Sequence, residues 1–496
     1  MDNPRLTFII PPLGSEKDLQ KSLNSLFPFE QSIQVITADS VSPEFKFSYH
    51  TILPAAQTEN LTALLNAALP VVQGEFVVVL NPGIAVMDSF IDTIIKRGEA
   101  IAKVDYFYGD YYQIDESGEP ILVASNPCPD DITEREDWGP LEFYRTEALK
   151  RIGGCDPTIR FRPEYYLRLK LTLDRPGMQI STPFCTNPYQ SPETMPEAAA
   201  LFFPGRGKLG GFSYLFMDPA EEQEIEEIFY GALQDRGAFL EQASGKVFVE
   251  PARTSPRVSV VIPVHNRANF IPLAVQSVQR GKFQDFEIVI IDNASTDDTF
   301  TVAQELAGKD KRVRVIHLET NIIARALNTG VKAARGEYIC QLDSDDEYTD
   351  DTLASMVQSL DENLDWGLAI SYYELMDESG KTLDDFGIIK HLEYNRNNIL
   401  RVDGAGAVRC WRKAAIDEFG GFNEPDFGHY GEDYDLVLRV GERYEVGRVH
   451  EVLYRYRRHG GNSDVLRPHE MKIKNKTLAR QRALERRRKL NAARES

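Results

Sequence analysis

No apolar run in this chain approaches the roughly 18 to 20 residues that a membrane span requires, and its Met1-Asp2-Asn3-Pro4-Arg5 start is not that of a signal peptide. Cysteine is scarce as well. The five, Cys128, Cys155, Cys185, Cys340 and Cys410, are scattered, odd in number and never spaced Cys-x-x-Cys, which favours reduced core thiols over disulfides or zinc. Positive charge is outweighed, 56 Lys and Arg against 76 Asp and Glu, for a net charge of −20. A nucleic-acid binder needs a basic footprint, so that class is disfavoured. An anionic substrate would need local help, and a divalent metal is one form of it. These absences together predict a protein kept in the cytoplasm.

With 42% hydrophobic and 27% charged residues, the composition is globular. At roughly 150 residues per domain the length suits two to four domains, and an internal repeat selects two. Arg5 to Pro12, Ile33 to Ala38 and Gly74 to Gly83 read as apolar strands, the last ending in a turn, separated by helical patterns, the start of a βαβ order. Val258 to Pro263, Phe286 to Asp292 and Asn328 to Asp345 repeat that order. Asn66, Gly74, Glu75 and Leu80 precede Asn328, Gly336, Glu337 and Leu342 by one shared spacing, which also relates Asp115-Glu116-Ser117-Gly118 to Asp377-Glu378-Ser379-Gly380. The expected organisation is a first copy over 1–187, a helical insert and linker over 188–256, a second copy over 257–463, and a basic C-terminal helix over 464–496. Within the insert, the acidic pattern Ala220 to Leu240 reads as a helix between the copies with a solvated face, and it has no visible counterpart in the second copy.

The copies differ where chemistry would sit. The strand ending at Leu342 opens into Asp343-Ser344-Asp345-Asp346, whereas the matching turn of the first copy is Asn81-Pro82-Gly83. Carboxylates one residue apart at the carboxyl end of a strand can hold a hard divalent cation whose other positions go to water and phosphate oxygens. Gly431-Glu432-Asp433-Tyr434-Asp435 reads as an acidic helix start, and its rough counterpart Pro163 to Leu167 keeps only Glu164. Asp433 could face a cleft as a general base, or simply complement the helix dipole. His459 stands beside Gly460-Gly461, where it could close over phosphates or ligate a metal. Arg455, Arg457 and Arg458 could equally be surface charges.

The strand Val258 to Pro263 with Val264-His265-Asn266-Arg267, the loop Asp292 to Asp297, Asn328-x-Gly330, Asp343-Ser344-Asp345, Gly420-Gly421-Phe422 and Gly431-Glu432-Asp433 together resemble family 2 inverting glycosyltransferases of the GT-A fold. The blocks occur in order from Val258 to about Ser463. The resemblance implies an α/β fold of two tandem GT-A domains, Rossmann-like with mostly parallel sheets, the first copy degenerate and non-catalytic. It further implies that Asp343 and Asp345 work with Mn²⁺ or Mg²⁺ on the donor diphosphate and that Asp433 is the base. His459 matches a family histidine near the diphosphate and becomes a third metal candidate. Asp292 and Asn293 would contact the nucleoside, uridine first and thymidine next, with Pro263, Asn266, Arg267, Asn328 and Ser344 as further donor-site candidates.

The expected partners are a nucleotide sugar and a carbohydrate acceptor. The basic C-terminal helix can dock on its own acidic body or make a peripheral membrane or partner contact, and the first copy can hold an acceptor, a partner or a homodimer interface. Two other readings compete. A two-site polysaccharide polymerase is opposed by Asn81-Pro82-Gly83, and a non-catalytic glycan-binding scaffold by the intact acids of the second copy.

Overall fold

The computed structural model describes residues 4–39, 47–54, 58–88, 90, 93–94, 101–188, 217–244, 249–253 and 255–495. They form two compact units, one from the described parts of Met1–Thr194 and Met217–Arg236, the other from the described part of Gly237–Ser496. Of the expected insert and linker, residues 189–216, 245–248 and 254 lie outside the described residues.

The first unit is built on strands β1 (Leu6–Ile10), β2 (Ile33–Ala38), β3 (His50–Leu53), β4 (Phe76–Val79), β5 (Ala85–Val86), β6 (Tyr106–Ile114), β7 (Pro120–Val123), β8 (Glu142–Arg145) and β9 (Met178–Asn187). The second uses β10 (Val258–Val264), β11 (Phe286–Asn293), β12 (Val313–Leu318), β13 (Tyr338–Gln341), β14 (Glu347–Tyr348), β15 (Trp366–Met376), β16 (Ile388–Ile389), β17 (Arg409–Arg412) and β18 (Glu445–Arg457). The sheet orders are β3-β2-β1-β4-β8-β6-β9-β5 and β12-β11-β10-β13-β17-β15-β18-β14, the same path twice, with β7 and β16 each added beside the equivalent strand. The expected tandem α/β organisation is therefore present. Each sheet is mixed: β12, β11, β10 and β13 run parallel, whereas β17 is antiparallel to both β13 and β15.

Why the halves agree is visible at atomic detail. Ser259 Oγ donates to Glu287 Oε1 (2.7 Å) and accepts from the Gly336 N–H (2.9 Å). Thr7 Oγ1 does the same between Gln34 Oε1 (2.8 Å) and the Gly74 N–H (2.9 Å). Both glycines are demanded by close approach, since a Cβ would lie 2.5 Å from Ser259 N at Gly336 and 2.6 Å from Thr7 N at Gly74. The central parallel strands β1, β10 and β11 are buried along their full length, as parallel strands covered on both faces are. Core packing follows from that: Val260, Ile262, Ile288, Ile290, Cys340 and Cys410 belong to one cluster of the second unit. All five cysteines are free thiols.

Two expectations about helices change. The acidic helix Pro219–Asp235 belongs to the first unit and packs on the helix Pro163–Leu171. Its Glu224 carboxylate accepts from the N–H groups of Arg160 (2.6 Å), Phe161 (2.8 Å) and Arg162 (2.9 Å), so that face is engaged. It also has a counterpart after all, because the C-terminal helix His469–Glu495 packs on the helix Glu432–Arg443 in the second unit. That C-terminal helix buries Ile473, Ala479, Ala483 and Leu484.

Candidate active site

In the second sheet β10 has β11 on one side and β13 on the other, and the chain order reverses between β10 and β13. Ligands of open α/β sheets bind outside the carboxyl ends of strands at such a switch point. The segments emerging there are His265 to Arg267 after β10, Asp292 and Asn293 ending β11, and Asp343 to Asp346 after β13.

Asp345 is the best-anchored acid of the turn. Its Oδ2 meets His459 Nε2 at 3.0 Å and Arg267 Nε at 3.3 Å, and its carbonyl accepts from Arg457 Nε at 2.7 Å. Burial opposes ionisation, but His459 and Arg267 hold the Asp345 carboxyl below its usual value. Asp343 has weaker support, and burial with the neighbouring Asp345 charge pushes it up to about 6. Asp346 faces inward. It accepts from the Arg457 N–H (2.7 Å) and the Tyr454 hydroxyl (2.8 Å), and burial with the Asp345 and Asp343 charges raises its pKa well above the usual value. Arg457, only 1% exposed, is thus an internal anchor of the acidic turn rather than a surface charge. Ser344 is buried within the turn.

Asp433, in the first turn of the helix Glu432–Arg443, pairs through Oδ2 with Arg409 Nη2 at 2.8 Å. Arg409 opens β17, and its charge also lowers the Asp343 pKa, while that of Asp433 raises it. These three groups therefore share one electrostatic environment. Arg409 was not legible in the sequence, because only the cross-strand register places it there. Glu432 beside Asp433 is buried, and burial plus the Asp433 charge holds it well above the carboxylate range.

On the β11 side, Asp292 Oδ2 accepts from His317 Nδ1 at 2.6 Å. Its Oδ1 is buried and has no hydrogen-bond partner, so the residue has one acceptor to offer. Asn293 is held at both ends of its amide: its Nδ2 donates to Asn321 Oδ1 (2.9 Å) and its Oδ1 accepts from the Ile322 N–H (3.1 Å). Asn266, at φ 52°, accepts from the Thr296 N–H at 2.8 Å. Pro263 is buried within β10.

Three of the sequence-predicted residues are held by bonds within the fold. Asn328 Nδ2 donates to Phe422 O (2.8 Å) and its Oδ1 accepts from the Phe422 N–H (2.8 Å). Asn66 makes the same two bonds to Cys155, at 2.7 and 2.8 Å, in the copy without the acids, so this asparagine braces the fold. Asn293 likewise braces the loop wall, its amide being engaged at both ends. His459 is engaged at both ring nitrogens: its Nδ1 accepts from the Gly461 N–H at 3.1 Å and its Nε2 lies 3.0 Å from Asp345 Oδ2.

Among the described residues no three His, Cys, Asp or Glu side chains gather into a preformed metal-ligand set. Asp343 and Asp345 nevertheless suit a hard divalent cation, since both are oxygen donors and the turn concentrates buried negative charge. Such an ion would offset the repulsion that raises Asp343.

The family model described as Glycosyl transferase family 2 matches residues 259–417. Those residues are a family 2 glycosyltransferase domain. Chondroitin synthase of Escherichia coli is 27% identical over 281 residues, which cover 55% of this chain and 40% of the relative. Hyaluronan synthase of Pasteurella multocida is 29% identical over 224 residues, 42% of this chain and 21% of the relative. An uncharacterized glycosyltransferase of Rickettsia felis is 29% identical over 219 residues, 44% and 35%. The chain thus spans less than half the length of these relatives. Among solved structures, S. aureus TarS 1-349 in complex with UDP-GlcNAc is similar at a TM-score of 0.37 and 20% identity, covering 43% of this chain and 61% of that one. Mannosyltransferase PcManGT from Pyrobaculum calidifontis, in complex with GDP-Man and Mn²⁺, gives a TM-score of 0.32 and 20% identity, 46% and 63%.

The first copy is altered in charge at the equivalent place. Tyr165 and Tyr434 both donate to a backbone carbonyl, Ile132 O at 2.8 Å and Ile399 O at 3.1 Å. Matching the helices on these tyrosines puts Glu164 where Asp433 stands, one position from the rough correspondence read from the sequence. Arg145 and Arg412 oppose equivalent residues Phe76 and Tyr338, which puts Glu142 in the place of Arg409. A pair of carboxylates has replaced an ion pair.

Proposed function

We propose that the second unit moves a sugar from a nucleotide diphosphate sugar, with uridine as the first choice of base, to an acceptor hydroxyl on a glycan, glycolipid or glycoprotein, with inversion at the anomeric carbon. The observation that carries this reading is the convergence of the Asp343–Asp345 turn, which lies within the family 2 match, with Asp433 on a separate helix that follows it. Asp292 Oδ1, buried and unpartnered, suits a nucleobase N–H. Asp433 takes the acceptor proton as the hydroxyl oxygen attacks, and the bond from the anomeric carbon to the diphosphate breaks. Arg267, near Asp345, adds positive charge on the leaving-group side. A divalent cation held by Asp343 and Asp345 would supply further stabilisation of the departing diphosphate.

The first unit is read as a non-catalytic companion that holds acceptor or partner, because Asn81-Pro82-Gly83 has no acids and Glu164 lacks an arginine at the place of Arg409. The glycan-synthase names of two relatives keep a larger polymerising enzyme as the second reading. Among the described residues no helix is long and apolar enough to cross a membrane, and a cytoplasmic setting stays part of the proposal. Replacing Asp433 by Asn should leave metal-dependent donor binding intact and lower turnover on the order of 10²-fold or more. Near-normal turnover would remove Asp433 from the mechanism.

A further inference from the structure

The family match ends at residue 417, before the helix that carries Asp433 begins. What holds that helix in register is the C-terminal helix His469–Glu495. Asn475 Nδ2 donates to Tyr430 O at 2.7 Å, and Gly431, the next residue, turns the chain into the helix at φ 87°. Asp433 follows two residues later. Further along, Lys476 pairs with Asp403 at 2.6 Å and Arg480 Nε donates to Leu400 O at 2.8 Å, while Arg482 pairs with Asp426. Arg486 reaches Glu442, near the far end of the Glu432–Arg443 helix, at 2.8 Å. The cations that suggested a membrane surface are thus largely engaged within their own unit.

We propose that Asn475 is a positioning residue for Asp433, so that the C-terminal helix is a working part of the transferase site. This rests on the reading of Asp433 as the base. One feature favours positioning over mere packing: the bond is made to the turn that aims Asp433, and Arg409 is the cation that meets Asp433 from the sheet side, so a displaced turn breaks that pair. The first unit, without the acids, holds the equivalent turn with inverted polarity, since Glu224 of its acidic helix accepts from the N–H groups of Arg160 to Arg162 just before the equivalent helix. Clamping this turn therefore also serves the fold, and turnover is the readout that separates the two roles.

The test uses the full chain with Mn²⁺ and UDP-N-acetylglucosamine, reading UDP release, melting temperature and amide exchange over 428–436. Asn475→Ala should lower kcat about tenfold, as small misplacements of catalytic groups do, with donor KM within about twofold of the parent and faster exchange in that segment. Asn475→Gln, which keeps an amide donor, should recover part of the loss. A lower melting temperature with kcat within about twofold would make Asn475 merely structural and overturn the proposal, as would unchanged exchange at 428–436. Asp433→Asn, run in parallel, separates the two claims: if it turns over normally the base assignment fails, whereas the exchange readout reports on the Asn475 clamp alone.

Discussion

Replacing Glu142 by Gln should stabilise the first unit in a pH-dependent way. Glu142 stands where the second unit has Arg409, and burial together with the nearby Glu164 charge pushes its pKa from 4.5 up to about 7, although Arg168 and the Tyr106 hydroxyl (2.6 Å) pull the other way. A carboxyl whose pKa is raised on folding is bound more tightly to its proton in the folded state. Its contribution is therefore most favourable below 4.5 and is lost as pH rises toward 7. The full shift corresponds to about 3 kcal/mol at about 1.4 kcal/mol per pKa unit, and partial solvent contact of Glu142 reduces that to ~1–2 kcal/mol. Glutamine keeps the acceptor for Tyr106 and never ionises. The assay is urea unfolding of Glu142→Gln and the parent chain at pH 4.5 and pH 8, followed by a probe within the first unit. The variant should gain ~1–2 kcal/mol at pH 8 and almost nothing at pH 4.5. Equal gains at both, or none at pH 8, would refute the burial argument.

Other expectations follow from the same geometry. Asn328→Ala should destabilise the second unit by about 1–3 kcal/mol, since it leaves the buried Phe422 peptide unpaired, with donor affinity unchanged; a loss of donor binding at full stability would keep Asn328 in the donor site. Arg409→Met should lower turnover on the order of tenfold or more, because Asp433 loses the partner that orients it, while Mn²⁺-dependent binding of UDP persists; wild-type turnover would show that the ion pair is dispensable.

The repeat and its strand order were legible because both copies keep the same apolar strands and the same Gly-Glu pair at Gly74-Glu75 and Gly336-Glu337. The loss of the acids at Asn81-Pro82-Gly83 was legible for the same reason. The bracing bonds of Asn328 had a signal in the sequence: Asn66 survives in the copy that lost its acids, as a residue needed by the scaffold would. The correspondence of the two clamp helices was hidden because one is acidic and the other basic, and packing position does not show in composition. Arg409 carried no local signal, since a strand residue acquires its neighbours from register with distant segments. His459 Nδ1 is engaged by the Gly461 N–H, a hydrogen bond that no motif encodes.

The central claim is that one copy, through its acidic turn, engages a nucleotide diphosphate and the other does not. Calorimetric titration of the full chain with UDP, with and without Mn²⁺, tests it most directly. One Mn²⁺-dependent site per chain is predicted, abolished by Asp345→Ala. Two sites per chain, or a single site indifferent to Asp345→Ala, would contradict it.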